Sequence, residues 1–91
     1  MRAIWNGMVI AESGKAFEFD GYFYFPLSSV KMKYLNESEE KDESCPFGVK
    51  FYDIAVKGKK NAGAAWIYTD AKGPVARVKG HIGFWKGVEF R

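Results

Sequence analysis

Apolar and polar residues alternate along most of this chain, and turn-forming residues interrupt the alternation every eight to twelve positions. Successive side chains of a strand point to opposite faces, so this rhythm predicts short, half-buried β-strands. Arg2 to Ala11 reads as a hairpin in which Asn6-Gly7 supplies the two positive-φ positions of a type I′ turn. A two-residue turn there sets Trp5 opposite Met8 and Ala3 opposite Ile10. A second hairpin follows around Asp20-Gly21, with Phe17 facing Tyr24 and Phe19 facing Tyr22 on one side, and Glu18 and Phe23 on the other. Pro26 stops that strand, because proline has no N–H for the ladder. Leu27 to Val30 is expected to form one helical turn capped by a serine, and Lys31 to Leu35 a half-exposed strand. Asn36 to Ser44 holds five acids, one lysine and no apolar residue, the composition of a solvated loop.

Cys45-Pro46-Phe47-Gly48 marks a turn, after which Val49 to Val56 reads as a strand. Lys50, Tyr52 and Ile54 fall on one of its faces, and Val49, Phe51 and Asp53 on the other. Lys57 to Gly63 is expected to be a basic, glycine-punctuated hairpin loop, and Ala64 to Thr69 a returning strand with Trp66 and Tyr68 on one face. Asp70 to Pro74 breaks the pattern, and Val75 to Val78 has the length of one helical turn. His81 to Trp85 and Val88 to Phe90 are the last strands, joined by a Lys86-Gly87 turn. About eight short, mainly antiparallel strands without a long helix predict an all-β fold, an open barrel or sandwich in one domain over residues 1–91.

Composition changes this picture in one respect. A chain of 91 residues buries a smaller share of its surface than a larger domain, so its 16 aromatic rings are needed for the core before any is free for a site. The single cysteine, Cys45, has no internal disulfide partner, and no CxxC or paired-histidine spacing suggests zinc or another cofactor. The first residues lack the long apolar run of a signal peptide, and no stretch approaches the roughly 18 apolar residues of a membrane span. These features predict a soluble cytoplasmic protein with no membrane partner, and leave monomer and homodimer both open. Net charge is +3, made of −3 over residues 1–45 and +6 over residues 46–91. Lys57, Lys59, Lys60, Lys72, Lys79 and Lys86, interleaved with Phe84 and Trp85, would suit single-stranded nucleic acid. They sit mostly in turns, however, where lysine keeps strand edges soluble, and no RNA-binding signature such as RNP1 accompanies them. The balance is against a nucleic-acid partner.

Several short motifs recur in a known order: Trp5-Asn6-Gly7 with Ile10-Ala11-Glu12-Ser13, Tyr24-Phe25-Pro26, Cys45-Pro46, Tyr52-Asp53, Ala64-Ala65-Trp66 with Tyr68, and Gly80-His81-Ile82 with Phe84. In these the chain resembles the family called domain of unknown function 427, which also carries a nucleotidyltransferase-like label. The resemblance spans nearly the whole chain. It implies a mainly antiparallel β fold similar in outline to the Mss4-like β-tent, without the zinc cysteines of that fold. The chain has no Gly-Ser dipeptide followed by paired aspartates, the arrangement with which nucleotidyltransferases hold magnesium, and it departs from the family pattern around Phe47-Gly48.

Three kinds of chemistry compete for these residues. Tyr24, Cys45, Tyr52, Trp66, Tyr68 and His81 would form a small-molecule pocket, since tyrosine hydroxyls and tryptophan N–H groups add polar tips to apolar walls. Trp5 is a further candidate ring, with Lys50 and Arg77 beside the pocket as partners for an anionic group. An enzyme would use Cys45 as nucleophile or His81 as acid or base, whereas a structural Cys45 would be a small buried residue and a structural His81 would tie a ring nitrogen to a carbonyl. Glu12, Asp53 and Asp70 stand beside apolar strands and would serve acid–base work if two converged, but turn chemistry accounts for Glu12-Ser13 and for Asp70 as a strand-ending residue, and the sequence favours the turns. A nucleic-acid or protein-binding module would use the basic C-terminal half. The pocket reading is the one expected here.

Overall fold

Four tight turns organise the chain. Asn6-Gly7, Asp20-Gly21, Lys57-Gly58 and Lys86-Gly87 each place two successive residues at positive φ, between 49° and 87°. Paired positive φ gives a turn the right-handed twist that antiparallel strands need. The computed structural model describes residues 1–91 and contains nine strands. They are β1 (Arg2–Trp5), β2 (Met8–Glu12), β3 (Phe17–Phe19), β4 (Tyr22–Pro26), β5 (Leu35–Glu37), β6 (Val49–Val56), β7 (Lys59–Tyr68), β8 (His81–Phe84) and β9 (Glu89–Phe90). Three short 3-10 turns, Leu27–Ser29, Met32–Tyr34 and Gly73–Val78, make up the remaining regular structure.

The strands form two antiparallel sheets, one in the order β2-β1-β9 and one in the order β3-β4-β8-β7-β6-β5. Neither closes on itself, so the architecture is an all-β sandwich rather than a barrel. The main core lies between the sheets. Ala3, Ile10 and Ala11 from the small sheet meet Phe25, Ile54, Ala65, Ile82 and Phe84 from the large one, all at most 1% exposed. The opposite face of the large sheet is not covered by a second sheet. There Tyr24, Trp66 and Val78 form a smaller cluster with Phe17, Phe19, Val49, Phe51, Tyr68 and Val75.

The second hairpin has the register expected from its turn, Phe17 with Tyr24 and Phe19 with Tyr22. The first departs from it. Trp5 does oppose Met8, but Ala3 opposes Ala11 rather than Ile10, because a bulge between Ala3 and Ile4 leaves Ile10 as the extra residue of β2. An extra residue in one strand increases local twist, and here it lets the consecutive Ile10 and Ala11 both reach full burial. Lys31 to Leu35 is not a strand: Met32–Tyr34 is a 3-10 turn, and pairing begins at Leu35 opposite Ile54. The expected serine cap is absent, since the Ser29 hydroxyl instead donates back to the Pro26 carbonyl at 2.7 Å. The acidic stretch is correspondingly shorter as a loop, its first two residues, Asn36 and Glu37, pairing with Asp53 and Tyr52.

The largest revision concerns Lys57 to Gly63. Only Lys57-Gly58 turns the chain, and β7 starts at Lys59. Lys59 and Lys60 are exposed strand residues at the end of a long hairpin, where charge protects an edge without forming a loop. Midway along the hairpin, Tyr52 pairs with Ala65 but Ile54 with Asn61, so Asp53 alone faces three residues. Gly63 adopts φ 65° there and donates its N–H to the Asp53 carboxylate at 2.8 Å.

Candidate functional site

The uncovered face of the large sheet is built by period-two alternation in four neighbouring strands. Phe51 pairs with Trp66 and Val49 with Tyr68, so these four side chains share a face. Trp66 pairs with Gly83, and Gly83 with Tyr24. A Cβ at Gly83 would lie 2.6 Å from two atoms of the Trp66 ring and 2.9 Å from Tyr24, so both rings lie against the backbone of β8. The glycine is what lets them sink so deep that Tyr24 and Trp66 are only 2% and 6% exposed. Burial pushes the Tyr24 phenol upward, and the neighbouring Tyr68 phenol adds to the rise.

Above this floor lies a cavity of about 200 Å³ that opens to solvent. Val49, Phe51, Trp66 and Tyr68 line it from the sheet, Tyr22 from the tip of the β3–β4 hairpin, Trp85 from the end of β8, and Asp42 and Cys45 from the loop between β5 and β6. Tyr22, Trp66 and Trp85 stand almost perpendicular to one another: interplanar angles are 88°, 87° and 81°, and ring centroids lie 5.1 to 6.1 Å apart. Trp85 is 36% exposed yet fixed, because its indole N–H donates to the Gly63 carbonyl at 2.7 Å and its backbone N–H to Ala64 at 3.0 Å. The Asp53 and Trp85 contacts therefore use the N–H and the carbonyl of one residue, Gly63. Burial raises the Asp53 carboxyl, but the Gly63 N–H and the Ser38 hydroxyl outweigh it and leave the group below its ordinary value. The role of Asp53 is thus that of a β-bulge anchor.

The residues singled out by sequence divide sharply. Cys45, Trp66 and Tyr68 line the cavity, and Tyr24 packs beneath it with its ring 5.8 Å from that of Trp66. Tyr52 does not share this space: alternation turns it to the opposite face of β6, against the main core, with Lys50 Nζ 5.6 Å from its ring. His81 stands at the start of β8, edge-on to Phe17 at 5.4 Å, with Nδ1 donating to the Lys79 carbonyl at 2.8 Å. It does not line the cavity, so Cys45 has no imidazole among its pocket neighbours. Trp5 packs on the main core. Lys50 is ion-paired with Glu37, which lowers the glutamate and raises the lysine, and Arg77 lies over Phe17 at 5.0 Å, so neither serves an anion in the cavity. Glu12 is held low by its hydrogen bond to Arg2, and Asp70 pairs with Lys72, both at the exposed surface.

Sequence reasoning missed Tyr22, Val49, Phe51, Trp85 and Asp42. Alternation already placed Tyr22 with Phe17 and Phe19, and Val49 with Phe51. What it did not show was that these strands lie side by side, since β4, β8, β7 and β6 are not in chain order. Phe84, grouped with Trp85 as a stacking surface, is instead 1% exposed in the main core, which removes one ring from any strand-binding platform. No three His, Cys, Asp or Glu side chains gather into a group that would hold a metal ion. No helix is long and apolar enough to cross a membrane.

No curated protein matches the chain. A family model described as domain of unknown function (DUF427) matches residues 1–90, and the chain belongs to that family.

Proposed function

We propose that this protein binds a small organic molecule in the cavity on the uncovered face of its large sheet. The observation that carries the reading is the cavity itself, with seven of its eight lining residues hydrophobic and its walls held in place from behind. Large apolar side chains left facing solvent at a concave site mark a place where something else supplies the missing contacts. Tyr22 and Trp85 are two of the five large hydrophobic residues most exposed in the chain, and both are here. At about 200 Å³ the space is below the roughly 300–1,000 Å³ of drug-sized sites, and above the roughly 150 Å³ that accepts a benzene ring. It suits a single ring or a compact headgroup. The unpaired Cys45 fits a reducing compartment such as the cytoplasm.

The test is a thermal-shift screen of the purified protein against metabolites grouped by charge and size. A ligand at one hundred times its dissociation constant stabilises by about 2.7 kcal/mol, a rise of several degrees for so small a domain. We expect a hit whose shift disappears in Trp85→Ala and persists in His81→Ala. A hit equally retained by Trp85→Ala and Cys45→Ser would place binding elsewhere and overturn the reading.

A further inference from the structure

We propose that the group received by this cavity is a methylated ammonium, with Asp42 as its counter-charge; the proposal rests on the reading that the cavity binds a small molecule. Three rings of the cavity, Tyr22, Trp66 and Trp85, stand nearly perpendicular to one another. Their centroids lie only 5.1 to 6.1 Å apart, close enough for one group among them to come within the roughly 6 Å over which a cation is attracted to a ring. A bare ammonium would give up too much hydration to enter so apolar a corner, whereas methyl groups spread the charge and present apolar surface to the rings.

Charge favours the same occupant. Asp42 is the one ionisable carboxylate in the lining, and no lysine, arginine or histidine lines the cavity. Its Oδ1 accepts from the backbone and hydroxyl of Ser44, which steadies the carboxylate, while Oδ2 takes no hydrogen bond from the protein. Of the acids around it, Glu37 at the end of β5 is matched by Lys50 and Glu40 by Lys86 at 3.8 Å, while Glu39 and Glu43 make no ion pair and do not line the cavity. A cation already lies near Trp85: Lys86 Nζ is 5.0 Å from its centroid, held by the Ala62 carbonyl and Glu40 and outside the lining. An anionic ligand would meet Asp42 with no compensating base, and a neutral one would leave that carboxylate unused.

Calorimetric titration of the whole protein at constant ionic strength decides the matter, using choline, tetramethylammonium and 3,3-dimethylbutanol, the uncharged carbon isostere of choline. We expect the two cations to bind at least about tenfold more tightly than the alcohol, a loss of several-fold in Asp42→Asn, and loss of binding in Trp85→Ala, whose exposed side chain spares the core. Equal affinity for choline and the alcohol would overturn the ammonium proposal while leaving the small-molecule reading standing. No binding of any of the three would also overturn it, and the metabolite screen would then judge the small-molecule reading by itself. A parallel titration with a short peptide carrying trimethyllysine, against the same peptide unmodified, identifies the source. Preference for the modified peptide over choline assigns the ammonium to a protein side chain, and preference for choline assigns it to a free metabolite.

Discussion

Gly83 shows how one missing side chain shapes the site. Its φ is unremarkable, so the need for glycine is purely one of space beneath Trp66 and Tyr24. Gly83→Ala would drive a methyl group to within 2.6 Å of the Trp66 ring, forcing it toward the cavity, and overpacking of that kind typically costs about 1–3 kcal/mol. We expect urea denaturation to register a loss in that range, together with weakened ligand binding as Trp66 is lifted from its seat. Unchanged stability and affinity would show that the rings are free to move. This constraint was not legible in the sequence, because a glycine inside a strand signals close approach without naming what approaches. Trp66, Tyr68 and Cys45 were legible as candidates because each carries chemistry of its own. Tyr52 looked equivalent to Tyr68, and only the pairing of Phe51 with Trp66 assigns it to the opposite face.

The hairpins were the most readable elements, since Asn6-Gly7 and Asp20-Gly21 fix both turn type and register within a few residues. The bulges were the least readable, because they depend on which residues a partner strand needs to bury. The bulge at Asp53 matters most for the site, as it sets the position of Gly63 and hence of the Trp85 wall. The carboxyl of Asp53 titrates below its ordinary value of 3.8 when folded, so its stabilisation is present above that value and is lost as pH falls through the folded one. Asp53→Asn should therefore be less stable than the parent at pH 7, by about the 1–3 kcal/mol of a charge-assisted hydrogen bond, and the gap should narrow below about pH 4. Urea midpoints for both proteins across that range check the sign; a gap that widened in acid would contradict it.

At the scale of the whole molecule, the large sheet divides the labour between its faces. One face is closed by β1, β2 and β9 and supplies the main core, and the other holds a thin aromatic layer with an open cavity above it. The class of fold could be read from strand rhythm alone, but the order β3-β4-β8-β7-β6-β5 could not, since it joins strands far apart in the chain. That order is what collects Tyr22, Trp66 and Trp85 at one corner. The three tryptophans offer a direct test of this division, because Trp5 packs on the main core while Trp66 and Trp85 line the cavity. We would follow the three indole N–H signals by NMR while titrating choline or the best hit of the metabolite screen. The arrangement requires the Trp66 and Trp85 signals to move in a saturable way while Trp5 stays in place. Movement of Trp5 alone, or saturable binding that leaves both cavity tryptophans unmoved, would contradict the assignment of the uncovered face as the ligand site.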